Sequence, residues 1–154
     1  MTAQADGEHE HRIIVGVDGS APSKAALAWA ASQARLTGAV VEAVIAWEVP
    51  AITGYPVPVT DVNWEELATE IVTGAIAEFA ASAEPLEIRY KVAHGNAARV
   101  LVDAAAGADL LVVGSRGHGG FAEALLGSIG QHCVHHATCP VLVIRHSVTG
   151  QQDG

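Results

Sequence analysis

Basic residues are scarce in this chain. Eight Lys and Arg stand against seventeen Asp and Glu, a formal net charge of −9 over 154 residues. No Lys/Arg cluster is present, so the basic footprint that nucleic acid demands is missing and that partner is excluded. An anionic ligand would have to be held by local backbone amides and not by the overall field. Cysteine is scarcer still. Cys133 and Cys139 are the only two, too few for a disulfide framework, and both are expected to be reduced and partly buried. Long apolar runs are lacking: stretches such as "LLVVG" at 110–114 fall far short of the roughly 20 residues that cross a bilayer, so no membrane association is expected. The start, "MTAQADGEHEH", has neither a basic n-region nor an apolar h-region. No signal peptide is read there, and the expected location is cytoplasmic.

Half of the chain is hydrophobic, with alanine and valine dominant, which suits a buried sheet covered by small-residue helices. The length fits one domain, placed at residues 12–146 between flexible tails at 1–11 and 147–154. Apolar runs alternate with alanine-rich helical stretches. "IIVGV" at 13–17, "VVEAVIAW" at 40–47, "EIRYKVA" at 87–93, "LLVVG" at 110–114 and "PVLVIR" at 140–145 read as strands. Between them, Leu27, Ala30, Ala31 and Ala34 mark one helix, with Ser20 as N-cap, Pro22 in the first turn and Gly38 as its close. Leu67, Ile71, Ala75 and Phe79 mark a second. Ala97, Leu101, Ala104 and Ala105 mark a third, and a short one runs from about Ser128 to Ala137. Residues 48–62, with Pro50, Pro56 and Pro58, read as a long surface loop.

Alternating strands and helices imply an open five-stranded parallel sheet with helices on both faces, a Rossmann-like α/β fold. The wholly apolar strands 1 and 4 belong in the centre and the alternating strand 3 at an edge, which gives the order 3-2-1-4-5. The topological switch point then lies between strands 1 and 4, where open α/β sheets bind ligands.

The segment "GSRGHGGFAEALLGS" at 114–128 leaves strand 4 at that place. Its spacing is Gly114, two residues, Gly117, nine residues, Gly127 and Ser128. Gly114 and Gly117 permit positive φ and close approach of the backbone. Gly127, Ser128 and Ile129 open a helix, so their amides favour a phosphate. Arg116 and His118 offer charge, flanked by glycines. It is not a P-loop, which closes on Gly-Lys-Ser/Thr; Lys24 and Lys91 are the only lysines. It is not a Rossmann fingerprint either, which opens the first helix.

This motif after a "VVGSRG" strand, with "IIVGVDGS" at the start and "CPVLVIR" as the last strand, resembles the universal stress protein family, and within it the ATP-binding branch. The resemblance implies the sheet order above, a homodimer and an ATP site, with Mg or Mn carried by the phosphates. It places Val17 and Asp18 at the nucleoside, Ala46 and Trp47 beside the adenine, and Gly114, Arg116, Gly117, His118, Gly127, Ser128 and Ile129 at ribose and phosphates. A cyclic-AMP or AMP binder would use the same contacts. The apolar edge strand Val141, Leu142, Val143 and Ile144 is the expected dimer seam.

Other constellations carry less. "HCVHHATC" at 132–139 holds metal-ligand residue types, but one contiguous segment wraps a tetrahedral ion poorly. It reads as a buried Cys133 with solvated histidines, His132 and His135 sharing a face. "VDGS", "VAHG" and "VIRH" lack the acidic pair, aspartate and lysine of a response-regulator receiver. Trp29 and Trp64 read as packing residues. An ATPase or phosphotransferase needs a positioned base and a metal-holding carboxylate. Asp18 is the only acid fixed at a strand end, so a regulatory nucleotide-binding module with at most slow hydrolysis is expected, with no catalytic residue and no protein partner identified.

Overall fold

The structure, a computed structural model, describes residues 10–49, 51–52, 55–56, 62–115 and 127–145. Both expected tails lie almost wholly outside them. In chain order the elements are β1 (Arg12–Gly16), α1 (Ala21–Thr37), β2 (Val40–Trp47), β3 (Ala51–Ile52), β4 (Tyr55–Pro56), α2 (Trp64–Ala81), β5 (Ile88–His94), α3 (Ala97–Ala104), β6 (Leu110–Gly114), α4 (Ser128–His136) and β7 (Val141–Ile144).

Five strands form one sheet in the order β5-β2-β1-β6-β7, and every neighbouring pair is parallel. Counting only these strands, the order is the 3-2-1-4-5 read from hydrophobicity. β1 and β6 each bury their three middle residues, because both faces of a central parallel strand are covered. Successive side chains point to opposite faces. Ile13 and Val15 of β1 therefore pack with Leu27 and Ala30 of α1 and Val72 of α2. Ile14, with Val44 of β2 and Leu111 and Val113 of β6, packs with Leu101 of α3 and Cys133 of α4. Two helices thus cover each face.

α1 begins as expected. Ser20 Oγ accepts the Ser23 amide, Pro22 lies in the first turn, and Gly38 ends the helix at φ +82°. Its buried side is mostly alanine, Ala26, Ala30, Ala31 and Ala34, which lets the helix lie close to the sheet. In α2, Ala75 is buried and Ile71 and Phe79 pack against the core as expected, Ala68 and Val72 are buried beside them, and only Leu67 of the expected stripe is exposed; stepping by four drifts across the face of a helix with 3.6 residues per turn. Trp29 is also exposed, on the outer side of α1, so it is not a core residue.

The stretch read as a featureless loop contains a small antiparallel pair, Ala51 opposite Pro56 and Ile52 opposite Tyr55. Its prolines concealed it, although proline is tolerated where no ladder amide is needed. At the far edge, all four residues of β7 are half-buried. No helix among the described residues is long and apolar enough to cross a membrane.

Candidate functional site

β1 and β6 lie side by side, but the chain leaves them in opposite directions. After β1 it enters α1 on one face; the helix that follows β6, α4, lies on the other. A crevice opens where the paths part, as the switch-point rule requires. It holds a cavity of about 330 Å³, within the usual size range of small-molecule sites.

Of the residues expected at the site, Val17, Asp18, Ala46, Gly114, Gly127, Ser128 and Ile129 all line this cavity. Arg116, Gly117 and His118 lie outside the described residues. Trp47 does not line it. Ala46 and Trp47 are consecutive on β2 and point to opposite faces. Ala46 faces the cavity, whereas Trp47 packs against the α1/α2 side of the sheet and meets the His94 ring edge-on at 4.5 Å. The expectation that both flank one ligand conflicts with strand alternation.

The β1–α1 turn forms one wall. Asp18 Oδ1 accepts the Ser20 amide at 2.8 Å, an Asx-turn, with Gly19 between them at φ +85°. Val17 is tied to β2 by its amide, which donates to the Val44 carbonyl at 2.9 Å.

Gly114 has a different reason from the expected one. It does not adopt positive φ. A Cβ there would lie 2.7 Å from Pro22 Cβ and 2.8 Å from the Pro22 carbonyl carbon. The missing side chain admits the start of α1 against β6, a helix–strand contact, at a residue that also lines the cavity.

The N-terminus of α4 forms the opposite wall. Its N-cap, Gly127, is extended at φ −68° and has no side chain to cap the helix. The Gly127 amide is not available to a ligand, because it donates to the Ser115 carbonyl at 3.0 Å and closes the neck of the 116–126 segment. The first intrahelical acceptor bond runs from the Gln131 amide to the Gly127 carbonyl at 2.9 Å. The amides of Ser128, Ile129 and Gly130 precede that bond, where a helix has no acceptor of its own, and all three residues line the cavity. The other helices are capped: Ser20 Oγ accepts from Ser23 N, Asn63 Oδ1 from Glu66 N, and Asn96 Oδ1 from Arg99 N.

Sequence reasoning missed part of the lining. Gly16 ends β1, Ser20 caps α1 and Ser23 lies in its first turn; Val44 and Val113 come from the face that Ala46 shares, Ala97 and Leu101 from α3, Ser115 from the start of the glycine segment and Gly130 from the first turn of α4. Period-two alternation from Ala46 back to Val44 was a usable signal. Ala97 and Leu101, one helical turn apart, reach the cavity only through tertiary packing.

Cys133 is fully buried in the core, and burial pushes its thiol from 9.0 up to about 11. The His132 and His136 rings lie with centroids 4.3 Å apart, tilted 36° to one another. No group of three or more His, Cys, Asp or Glu suited to a metal occurs among the described residues.

An open five-stranded parallel sheet covered on both faces, with a crevice at its switch point and an uncapped helix N-terminus in that crevice, defines a doubly wound α/β protein. The chain belongs to the universal stress protein family, whose model matches residues 10–145. A universal stress protein of Mycolicibacterium smegmatis is 32% identical over 142 residues, covering 88% of this chain and 48% of that protein. The chain spans about half the length of the curated relatives it matches. Among solved structures, the universal stress protein UspA from Lactobacillus plantarum is 25% identical with a TM-score of 0.66, covering 89% of this chain and 99% of that one. A universal stress protein solved in complex with cAMP shares the fold at a TM-score of 0.67 and 24% identity, covering 90% of this chain and 99% of that chain.

Proposed function

We propose that this chain is an ATP-binding regulatory module of the stress response, with at most slow hydrolysis. One observation carries the reading. α4 has no side-chain cap and opens on the switch-point cavity, whereas α1, α2 and α3 each carry one. Three consecutive amides and the positive end of a helix favour a phosphate as the missing acceptor. In this reading Ser128, Ile129 and Gly130 receive phosphate oxygens, with Arg116, Gly117 and His118 of the motif beside them. The base and sugar lie along Val17, Asp18 and Ala46. The acceptor-only carboxylate of Asp18 suits a ligand N–H or O–H.

Magnesium or manganese would arrive with the triphosphate and supply neutralisation of its charge. The donor set fits that role and not a resident metal, since Asp18 is the only carboxylate among the described lining residues. The same scarcity argues against an efficient ATPase, which needs both a water-orienting group and a metal-holding acid.

The module is proposed to act in the cytoplasm as a homodimer. β7 ends the sheet with Val141, Leu142, Val143 and Ile144 only half-covered, a strand edge that a second copy would pair and cover. A cyclic-AMP or AMP site is the second reading. It is favoured by the cAMP complex of a protein with this fold and by the fact that one helix N-terminus suffices for one phosphate.

Calorimetric titration with ATP, ADP, AMP and cyclic AMP separates these readings. ATP is expected to bind most tightly and to persist for minutes to hours. Preference for a monophosphate favours the second reading. Turnover on the order of 1 per second that disappears on mutating Ser128 and Asp18 contradicts the module.

A further inference from the structure

Ser23 is the one buried polar side chain of the described core, 4% exposed, and it lines the cavity. Its hydroxyl accepts the Asp18 amide at 3.2 Å and donates to the Ser20 carbonyl at 3.0 Å. The Ser23 amide donates to Ser20 Oγ at 3.3 Å, and the Ser20 amide donates to Asp18 Oδ1 at 2.8 Å. These four bonds make a closed ring over six residues. It departs from an ordinary capping box, in which the residue at this helical position reaches back to the amide of the cap. Here the Asp18 carboxylate already serves the cap amide, and Ser23 reaches two residues further to Asp18 itself. Gly19 completes the turn at φ +85°, where an added Cβ would lie 3.2 Å from Ile71 of α2.

Asp18, by contrast, is exposed. A free surface carboxylate samples several rotamers, and a ligand that needs one of them must bear the ordering cost. We propose that Ser23 is a positioning residue: its buried hydroxyl closes the β1–α1 turn and so holds the Asp18 carboxylate in one orientation at the cavity mouth. The inference rests on the nucleotide reading above. It adds that recognition at Asp18 is set from within the core and not only by the residues that touch ligand. Removing the hydroxyl leaves the Asp18 amide without its acceptor, while the Ser20 carbonyl keeps the Lys24 amide at 3.0 Å. The damage should therefore concentrate at Asp18 and spare α1.

Two readouts test this. Amide hydrogen exchange in nucleotide-free protein, followed residue by residue by NMR, reads the turn. Calorimetric titration with ATP reads the site. Ser23→Ala is expected to speed exchange at Asp18 and Ser20 by about tenfold or more and to weaken ATP binding about 3- to 10-fold, the range of one lost hydrogen bond. In an Asp18→Ala background the same substitution should change affinity by less than about twofold. Ser23→Cys keeps the side-chain branching, with a larger sulfur that is a weaker donor and acceptor, and should shift both readouts in the same direction if the alanine variant does not fold. Unchanged exchange at Asp18 and Ser20 overturns the proposal, as does an equal loss of affinity with and without the carboxylate. A parent protein that binds no adenine nucleotide overturns the reading of the site instead, and the exchange measurement still decides whether Ser23 holds the turn.

Discussion

Replacing Gly114 with alanine places a methyl group where none fits. The new Cβ would lie 2.7 Å from Pro22 Cβ, 2.8 Å from the Pro22 carbonyl carbon and 3.0 Å from its oxygen. Carbon atoms pack comfortably at about 3.5–4.0 Å, so the overlap is close to 1 Å. Two of the three atoms belong to backbone and the third to a proline ring, so no side chain can swing away. The first turn of α1 must move from the end of β6. Overpacking of this kind costs about 1–3 kcal/mol. For a chain of this size each kcal/mol lowers Tm by about 2–4 °C, giving an expected loss of about 2–12 °C. Gly74, inside α2, is the control. An added Cβ there meets nothing within 4 Å, so Gly74→Ala should stabilise by about 0.5–1 kcal/mol through helix propensity. Thermal unfolding of nucleotide-free protein followed by circular dichroism measures both. If Gly114→Ala melts at or above the parent while Gly74→Ala behaves as expected, the packing account of Gly114 is wrong, and its absent side chain must be explained by the ligand after all.

Three further outcomes are expected. Gly127→Asp supplies the missing cap of α4, so it should hold or raise stability by about 0.3–1 kcal/mol, yet weaken ATP binding about tenfold or more by occupying and repelling the phosphate position; calorimetry and thermal melts together check this. Val143→Pro removes a ladder amide from β7 and should shift sedimentation from dimer to monomer, whereas a parent that sediments as a monomer at micromolar concentration contradicts the β7 seam. Burial raises the Cys133 thiol from 9.0 to about 11, so the native state holds its proton longer than the unfolded chain does. That contribution is present below about pH 9 and lost as pH rises toward about 11. Urea midpoints should fall across this window, and iodoacetamide should label the half-buried Cys139 before Cys133.

The sheet was legible because its signal is local. "IIVGV" and "LLVVG" are apolar on both faces, which places β1 and β6 in the centre, and the order and the switch point follow from that. The location of the switch-point cavity was legible for the same reason. The individual roles of the glycines were not. Gly114 lines the cavity as expected, but what excludes a side chain there is Pro22, ninety-two residues earlier (114 − 22). Gly127 looks like a donor to phosphate, yet its amide is engaged by Ser115 across the neck of the motif. Trp47 was misplaced by proximity in sequence, where the alternation of β2 separates it from Ala46. The short β3–β4 pair was hidden by prolines that also permit a loop. Ser23 gave no signal at all, because a serine in the first turn of a helix reads as ordinary capping chemistry until its partner two residues before the cap is seen.

The most direct test of a phosphate-accepting α4 is mass spectrometry of the small molecules released when protein purified without added ligand is denatured. The account predicts ATP, with some ADP from slow hydrolysis, retained in a large fraction of molecules, and little retention by Gly127→Asp. Release of no adenine nucleotide, followed by no uptake of added ATP, would contradict it.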